Sequence, residues 1–492
     1  MKFRLLLLGL LAWGGGPAVA QTVAPFTIIG PIERFTLDCT GDPLCPAHMR
    51  VSGVDIVLPR NLIVQTPTQF FSPVRLFAAN PKGPGESGLA LADIQKPIGA
   101  YTAEITGNIV NGTYIAGLVG ITQVPLAAGA GYVRAIGGDG TIVVGPSPLG
   151  GPAQPGDTRL RLNDPVGRFA PKAVGPAFDR RFAVDDEAPS VHALTGFPLC
   201  IQASGVGNCP TANRPVAGGR PLSLFVMGTA PLPPSPPDGP IIPACPGCDA
   251  TREAPLRVGD YVTYAGVLST DGAGPFIAAY ELVANLGIYT APGSKPAYAA
   301  VESSLIGTMG QRTQRAGGGF IPQETKDRLR VVGFTTDPSR SVSIYAIDID
   351  PGSGVKHLRR IGQTVPDDVP FGRFRYLVGK RAGALAGPAG IKGATRELLI
   401  RIDDGQNLEN KPVPVGPLSR NGLVAGQYIT PVGEYIFPEN TVLGDTLVQN
   451  NFECLAFLQR GSGPLDGTGP IVGRLFPWPG SGAPAGAVQC GP

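Results

Sequence analysis

The sequence predicts an all-β protein built from many short strands. Apolar and polar residues alternate with period two through most of the chain, as in MRVSGVDIVLP (49–59) and SVSIYAIDID (341–350), and this is the period of a β-strand. The 70 glycines and 53 prolines fall largely between such runs, where they are typical of turns. Helical periodicity is scarce, and its best candidate, AYAAVESSLIGTMGQ (297–311), predicts one short helix at most.

The first twenty residues predict a secretory signal peptide (1–20). Lys2 and Arg4 precede an apolar run, and Ala18-Val19-Ala20 precedes Gln21. This is the usual order of a basic region, an apolar core and a small-residue cleavage site. No later segment approaches the ~18 apolar residues that a membrane-spanning helix needs. We therefore expect a secreted protein, extracellular or periplasmic, without a membrane span.

Two similar stretches predict a pair of barrels. YTAEITGNIVNGTYIAGLVGI (101–121) and YVTYAGVLSTDGAGPFIAAYELVA (261–284) both begin at the Tyr of a Gly-x-Tyr sequence, alternate, break at Gly or Asn-Gly and then resume. Each follows several strand-like segments and an insertion. Five strands in this order are typical of a small OB-like or Greek-key barrel. We expect tandem barrel units at 21–125 and 126–320.

The remaining segments differ from the barrels in composition. A Cys/Pro-rich insertion of about 165–255 interrupts the second unit. Strands separated by turns such as DPSR and DPGSG predict an immunoglobulin-like β-sandwich at 321–460. Residues 461–492 form a Gly/Pro-rich tail.

The eight cysteines predict disulfides, because an even number follows a signal peptide. Proximity in the sequence suggests the pairs Cys39 with Cys45, Cys200 with Cys209, Cys245 with Cys248, and Cys454 with Cys490. Eight cysteines permit 105 connectivities, so other pairings stay open. The CPGC sequence of Cys245 and Cys248 could also be a redox dithiol or half a zinc site. Its proline-rich surroundings favour a structural disulfide, since they do not allow the helix of a redox motif.

Charge and motifs exclude several classes of function. The formal net charge is +3 without a basic stripe, so we expect no nucleic-acid partner. The three histidines, His48, His192 and His357, form no H-E-x-x-H pair. The chain has neither a G-x-S-x-G nucleophile sequence nor a phosphate-binding G-x-x-x-x-G-K-[ST] loop. The sequence predicts no catalytic residue, cofactor or metal.

Acidic clusters remain as candidate sites, each with a structural alternative. Asp348 and Asp350 resemble part of a calcium loop, and a hairpin turn is the alternative. A second cluster could bind calcium or act as an acid/base pair, or could form a solvated, ion-paired loop. Its members are Asp179, Arg180, Arg181, Asp185, Asp186 and Glu187. Asn163-Asp164 before Pro165 favours an Asx-type turn over a site.

Two further signals bear on sugars. Outside the signal peptide the only tryptophan is Trp478, which disfavours carbohydrate binding but leaves Tyr and Phe as stacking faces. Asn111-Gly112-Thr113 is a glycosylation sequence within the first hairpin turn.

Several phrases of the sequence resemble a known group of proteins. They are GNIVNGTYIAGLVGITQ, RLRLNDPVGRF, VGDYVTYAGVL, NLGIYTAPG and GQYITPVGEYIFPENTVLGD. They are similar to those of large secreted all-β proteins of bacteria and filamentous fungi whose activity is uncharacterised. The resemblance implies a co-linear architecture over most of the chain and carries no catalytic residues with it.

The sequence favours a secreted, non-catalytic protein that binds a cell-surface or extracellular polymer or has a structural role at a surface. The alternative is a secreted polymer-degrading hydrolase that uses a carboxylate pair, with or without calcium, and residues 179–187 are its first candidates. A redox protein using Cys245 and Cys248 is a third hypothesis.

Overall fold

The fold is taken from a computed structural model of the chain. It describes residues 23–66, 70–97, 100–122, 127–163, 169–170, 179–182, 189–204, 209–232, 241–307, 313–314, 320–321, 329–349, 355–367, 372–378, 396–436, 450, 452, 455 and 475–479. The described chain is nearly all β, and its one α-helix is α1 (Pro73–Ala78). No helix among the described residues has the length and apolar character needed to cross a bilayer.

The first unit is a closed five-stranded barrel with a short additional hairpin. Its strands are β1 (Val23–Leu37), β2 (Ala47–Val51), β3 (Val54–Leu58), β4 (Val64–Gln65), β5 (Phe70–Phe71), β6 (Thr102–Val110) and β7 (Thr113–Thr122). The order β3-β2-β1-β6-β7 closes because β3 also pairs with β7 in parallel. This is the strand order of an OB-like barrel, and α1 lies between the third and fourth barrel strands, as the connecting helix of such a fold does.

The second unit repeats that order around a long insertion. Its elements are β8 (Ala128–Ile136), β9 (Ile142–Gly145), β10 (Thr158–Leu162), β11 (Val191–Ala193), β12 (Leu199–Cys200), β13 (Val216–Ala217), β14 (Arg220–Pro221), β15 (Leu224–Met227), β16 (Ala244–Cys245), β17 (Ala254–Pro255), β18 (Tyr261–Asp271), β19 (Gly274–Ala284) and β20 (Gly287–Thr290). The order β10-β9-β8-β18-β19 closes through a parallel pairing of β10 with β19. The two similar sequence stretches are therefore the β6–β7 and β18–β19 hairpins.

Both hairpins carry a β-bulge at the same place. Gly107 and Gly266 each follow a register shift, and the extra residue on the facing strand is Gly117 in one barrel and Tyr280 in the other. A Cβ on Gly107 would collide with the carbonyl oxygen of Ile115, and a Cβ on Gly266 would meet that of Ala278. The close approach of the two backbones therefore requires glycine in both barrels.

The positions that are equivalent in the two barrel structures differ by one residue from those that the Gly-x-Tyr sequences align. The amide of Ile32 donates to the carbonyl of Tyr101, and the amide of Val133 donates in the same way to Asp260. Tyr101 thus corresponds to Asp260 and not to Tyr261. Because successive side chains of a strand point to opposite faces, this offset places the two tyrosines on opposite sides of their barrels.

Three disulfides lie in the described residues, and they join the neighbouring cysteines that proximity suggests. The Cα atoms of Cys39 and Cys45 are 5.9 Å apart, those of Cys200 and Cys209 5.5 Å, and those of Cys245 and Cys248 5.3 Å, within the usual range for disulfides. Two of these bridges fasten the extended insertion of the second unit. Cys454 and Cys490 lie outside the described residues.

The third unit is a sandwich of two four-stranded sheets. Its elements are β21 (Ala299–Gly307), β22 (Thr313–Gln314), β23 (Phe320–Ile321), β24 (Leu329–Thr335), β25 (Val342–Ile349), β26 (Lys356–Thr364), β27 (Arg373–Val378), β28 (Glu397–Ile402), β29 (Gln427–Pro431) and β30 (Glu434–Ile436). The sheets have the orders β27-β24-β21-β30 and β26-β25-β28-β29. Leaving aside the β22–β23 hairpin and β30, the first, second and fifth strands form one sheet and the other four form the second. An immunoglobulin constant domain divides its strands in the same way except for the fourth strand, which belongs to its first sheet.

The best helical candidate of the sequence, 297–311, contains no helix in its described residues. Residues 299–307 form β21, which pairs with β24 in the sandwich, so the sandwich begins before the expected boundary at 320. Pairing along a whole strand outweighs a weak helical pattern that glycines interrupt.

The first barrel and the sandwich share one hydrophobic core. Ile105 of β6, Val331 of β24 and Ile400 of β28 belong to the same buried cluster. Phe182 of the second unit's insertion and Phe452 and Leu475 of the C-terminal segment also enter it. The first barrel and the sandwich therefore pack against each other, and the second unit contributes Phe182 to their common core.

Candidate functional site

The candidate site is a cleft of about 340 Å³ where the three units meet. Its floor is the outer face of the first barrel, its wall is the sandwich, and Tyr280 of the second barrel also lines it. Sites at domain junctions are common because separate units can present different chemistry to one ligand.

Side chains point alternately inward and outward along β6 and β7, and this alternation determines which residues form the floor of the cleft. Ile105 and Val119 point into the buried core, so Glu104 and Thr106 on β6 and Leu118 and Gly120 on β7 face outward into the cleft. Glu104 is exposed, and it lies opposite Gly120 in the strand register.

Gly120 keeps the floor open. A Cβ built on it would meet only the carbonyl oxygen of Glu104, at 3.9 Å, and its backbone is not in the left-handed region. A larger side chain at this position would therefore project into the cleft without straining the strand.

The wall is fixed by hydrogen bonds of the turn that precedes β30. The amide of Gly433 donates to the hydroxyl of Ser304 at 2.9 Å, and that hydroxyl donates to the carbonyl of Pro431 at 3.0 Å. The turn presents the exposed carboxylate of Glu434 and the phenol of Tyr435 to the cleft. Burial raises the pKa of Tyr435, so this phenol is protonated at neutral pH and can donate a hydrogen bond.

Arg396 places a buried positive charge beside these groups. Its guanidinium lies 4.2 Å from the ring centroid of Phe70 and reaches the carbonyl of Ile63 at 3.5 Å. Burial lowers the pKa of Arg396 to about 10, against the opposing effects of Tyr435 and Glu397. The side chain therefore stays cationic at neutral pH and is held rigidly by its stacking on the ring.

Tyr280 reaches the cleft because it is the bulge residue of β19. The corresponding position of the first barrel is Gly117, where a side chain would collide with Phe452. Bulges often re-aim a side chain next to a functional site. Here the bulge directs an aromatic ring out of the second barrel toward the floor of the first.

The cleft combines hydrogen-bonding groups of both kinds with aromatic faces. Arg396 and Tyr435 donate, Glu104 and Glu434 accept, and Gln65 and Thr106 can do both. Tyr280 and Tyr435 supply rings, whereas the Phe70 ring carries the Arg396 guanidinium. This set suits a ligand with many hydroxyl groups, and the two carboxylates are also the residue types that an acid/base mechanism uses.

The acidic cluster at 179–187 is structural where it is described. Both carboxylate oxygens of Asp179 accept from Arg181, at 2.7 to 3.1 Å. The buried guanidinium of Arg181 also donates to the carbonyls of Leu76 and Ser87, at 3.2 and 2.6 Å. Asp179 and Arg181 therefore fasten the insertion of the second unit onto the first barrel.

The other sequence candidates also have structural partners. Asp348 accepts from Arg359 at 2.7 and 3.2 Å across the β25–β26 hairpin, and the side-chain amide of Asn163 donates to the carbonyl of Phe182 at 2.7 Å. Several candidates lie outside the described residues: Asp164, Pro165, Asp185, Asp186, Glu187 and Asp350. Of Arg180, only the backbone is described.

The histidines lie apart in the fold. His48 pairs with Asp38 at 3.3 Å on the surface, His192 is buried in the second unit, and His357 lies on β26. Within the described ranges, no three His, Cys, Asp or Glu side chains are grouped so that they could hold a metal ion.

Sequence reasoning did not single out the cleft residues. Glu104 and Thr106 stand at the polar positions of an alternating strand, but so do many residues of a β-protein. Arg396 is an ordinary basic residue immediately before β28, and only the packing of the sandwich against the barrel gives it a role. Comparisons of the chain with protein-family models, curated proteins and solved structures found no match.

Proposed function

We propose that this protein is a secreted, non-catalytic binding protein that holds a segment of an extracellular polysaccharide in the cleft between its three units. The observation that carries the proposal is the junction itself, where Arg396 stacked on Phe70, two exposed carboxylates and the rings of Tyr280 and Tyr435 line one cavity. Sugar hydroxyls accept from the guanidinium and donate to the carboxylates, and sugar C–H faces pack on rings.

Several features support secretion and the duplication of the barrel. Three disulfides and a signal-like N-terminus are consistent with an oxidising compartment. The shared strand order and bulge positions support an internal duplication of the barrel. The phrase-level resemblance to large secreted β-proteins agrees with both inferences.

The test is to fill the cleft. Gly120→Leu projects a side chain from the floor, and Gly272→Leu is the matched control because Gly272 lies at the open β18–β19 turn with no atom near its added Cβ. Soluble glucans, xylans, mannans and chitin fragments are the probes, and affinity electrophoresis followed by calorimetry is the measurement. We expect Gly120→Leu to weaken binding at least about tenfold, which corresponds to about 1.4 kcal/mol, and the control to bind as the wild type does. Equal binding by both variants contradicts the assignment of the cleft.

A hydrolase is the second candidate, because Glu104 and Glu434 line the same cleft from different units. One carboxyl would protonate the glycosidic oxygen while the other acts on the anomeric carbon or on water. Release of reducing ends by the wild type, abolished in both Glu104→Gln and Glu434→Gln, would establish this function. Binding without turnover by the wild type would support the non-catalytic proposal. The two glutamine variants should then still bind, because glutamine keeps a hydrogen-bond acceptor at each position.

A further inference from the structure

A second cavity, of about 400 Å³, opens on the second barrel away from the cleft. Tyr132 of β8 and Tyr261 of β18 face each other in the strand register and line it. Their rings meet edge to face, with centroids 5.0 Å apart and planes at 76°. Tyr261 is 38 % exposed, so an aromatic surface is available to solvent.

This aromatic surface is not required by the barrel core. The one-residue offset between the two barrels puts Asp260 at the buried position that Tyr101 occupies in the first barrel, and turns Tyr261 outward. An outward tyrosine packed against a second tyrosine is a large apolar area that the core does not use. Such rings are frequent in binding sites because they offer area at a low cost in conformational entropy.

The backbone under the pair is rigid. The buried carboxylate of Asp260 accepts from Arg214 at 2.6 and 3.0 Å and from the amide of Arg257 at 2.8 Å. The carbonyl of Tyr261 accepts from the amide of Asn285 at 2.8 Å. Because these bonds fix the turn before β18, Tyr261 is held in place before any ligand arrives.

Two polar side chains at the rim are available for hydrogen bonds. Asn285 and Ser223 are exposed and line the same cavity. In the part of the chain that the structure describes, neither side chain is engaged in a hydrogen bond. An amide and a hydroxyl beside an aromatic face supply both donors and acceptors to the edge of a ring that stacks there.

We infer that the Tyr132–Tyr261 pair is a second saccharide site, which binds one pyranose unit of the polymer by stacking on Tyr261 and by hydrogen bonds to Asn285 and Ser223. This inference rests on the proposed function for the choice of ligand. Two sites on one rigid chain raise the overall affinity for a long polymer, because the second contact is made at a high effective concentration.

The experiment compares six proteins on the same soluble polysaccharide panel: wild type, Tyr261→Ala, Asn285→Ala, Gly120→Leu, the double variant of Tyr261→Ala with Gly120→Leu, and Leu268→Ala. Leu268→Ala is the matched control, since Leu268 is an exposed apolar residue of the same strand β18. We expect Tyr261→Ala and Asn285→Ala each to weaken binding of a long polymer by about tenfold. We expect the double variant Tyr261→Ala with Gly120→Leu to lose binding altogether.

The outcomes separate the two proposals. If Tyr261→Ala binds as the wild type does while Gly120→Leu is weakened, the second site is wrong and the cleft stands. If Tyr261→Ala is weakened while Gly120→Leu is not, the second site stands and the cleft assignment is wrong. A wild-type protein that binds no member of the panel overturns both.

Discussion

Phe182 of the second unit stacks on Tyr101 of the first barrel, with ring centroids 4.5 Å apart and planes at 17°. Both rings lie in or against the core that the barrel shares with the sandwich, and burial raises the pKa of Tyr101 well above its usual value. The neighbouring Arg181 is bonded to two carbonyls of the first unit. The insertion of one barrel therefore completes the core of the other.

This contact predicts that the two barrels unfold together. Phe182→Ala removes a fully buried ring, and we expect it to lower the free energy of unfolding by about 3–5 kcal/mol. Urea denaturation followed by circular dichroism measures the change, and Phe476→Ala is the control because Phe476 is 74 % exposed. A separate early transition in the variant, with the wild-type midpoint kept for the rest, would show that the barrels are independent.

The bulge glycines predict a sharp contrast within one hairpin. Gly107→Ala and Gly266→Ala place a methyl group against a facing carbonyl oxygen, and we expect each to cost about 1–3 kcal/mol of stability through overpacking. Gly120→Ala, in the same hairpin as Gly107, meets ordinary van der Waals space and should leave stability unchanged or slightly raised. Equal thermal midpoints for Gly107→Ala and Gly120→Ala would contradict the bulge as a backbone requirement.

The two hairpins show which features of the fold a sequence pattern can predict and which it cannot. Alternation identified both β6–β7 and β18–β19, because a half-buried strand must alternate. The match of Tyr101 with Tyr261 is off by one, since sequence similarity cannot reveal which residue pairs across the barrel. Tyr280 is another case: its direction depends on a bulge that only the register of two strands defines. Arg396 gains its role from packing between units that are far apart in sequence.

The hydrogen bonds of Asn108 hold the C-terminal segment on the first barrel, and they predict that loss of this side chain destabilises the segment. Its fully buried side chain donates to the carbonyls of Asn450 and Pro479 and accepts from the amide of Asn450 at 2.9 Å. Asn108→Ala leaves these groups without their partner, and we expect a loss of about 1–3 kcal/mol for each buried group left unsatisfied.

Tryptophan fluorescence provides a direct readout of this loss. A protein lacking residues 1–20 has Trp478 as its only tryptophan, and that ring packs partly buried against the shared core. In Asn108→Ala we expect its emission to shift to the red at denaturant concentrations where the wild type is still folded. Asn285→Ala removes an exposed amide instead and serves as the control. Identical emission in both variants would mean that Asn108 does not hold the segment.

His192 predicts a loss of stability in mild acid. The ring is buried next to β19, and its Nδ1–H donates to the carbonyl of Ala193 at 2.7 Å. Burial lowers the pKa of His192 below its ordinary value of 6.5, so the unfolded chain takes up a proton between pH 6.5 and the lower native pKa while the folded chain does not. The unfolded state then binds more protons, and stability falls as the pH falls through this window, by at most about 1.4 kcal/mol per pH unit.

His192→Asn keeps a donor at the same position without the titration, so its free energy of unfolding should decline less than that of the wild type from pH 7 to pH 5. The surface variant His48→Asn is the control, and superimposable pH profiles for wild type and His192→Asn would refute the assignment.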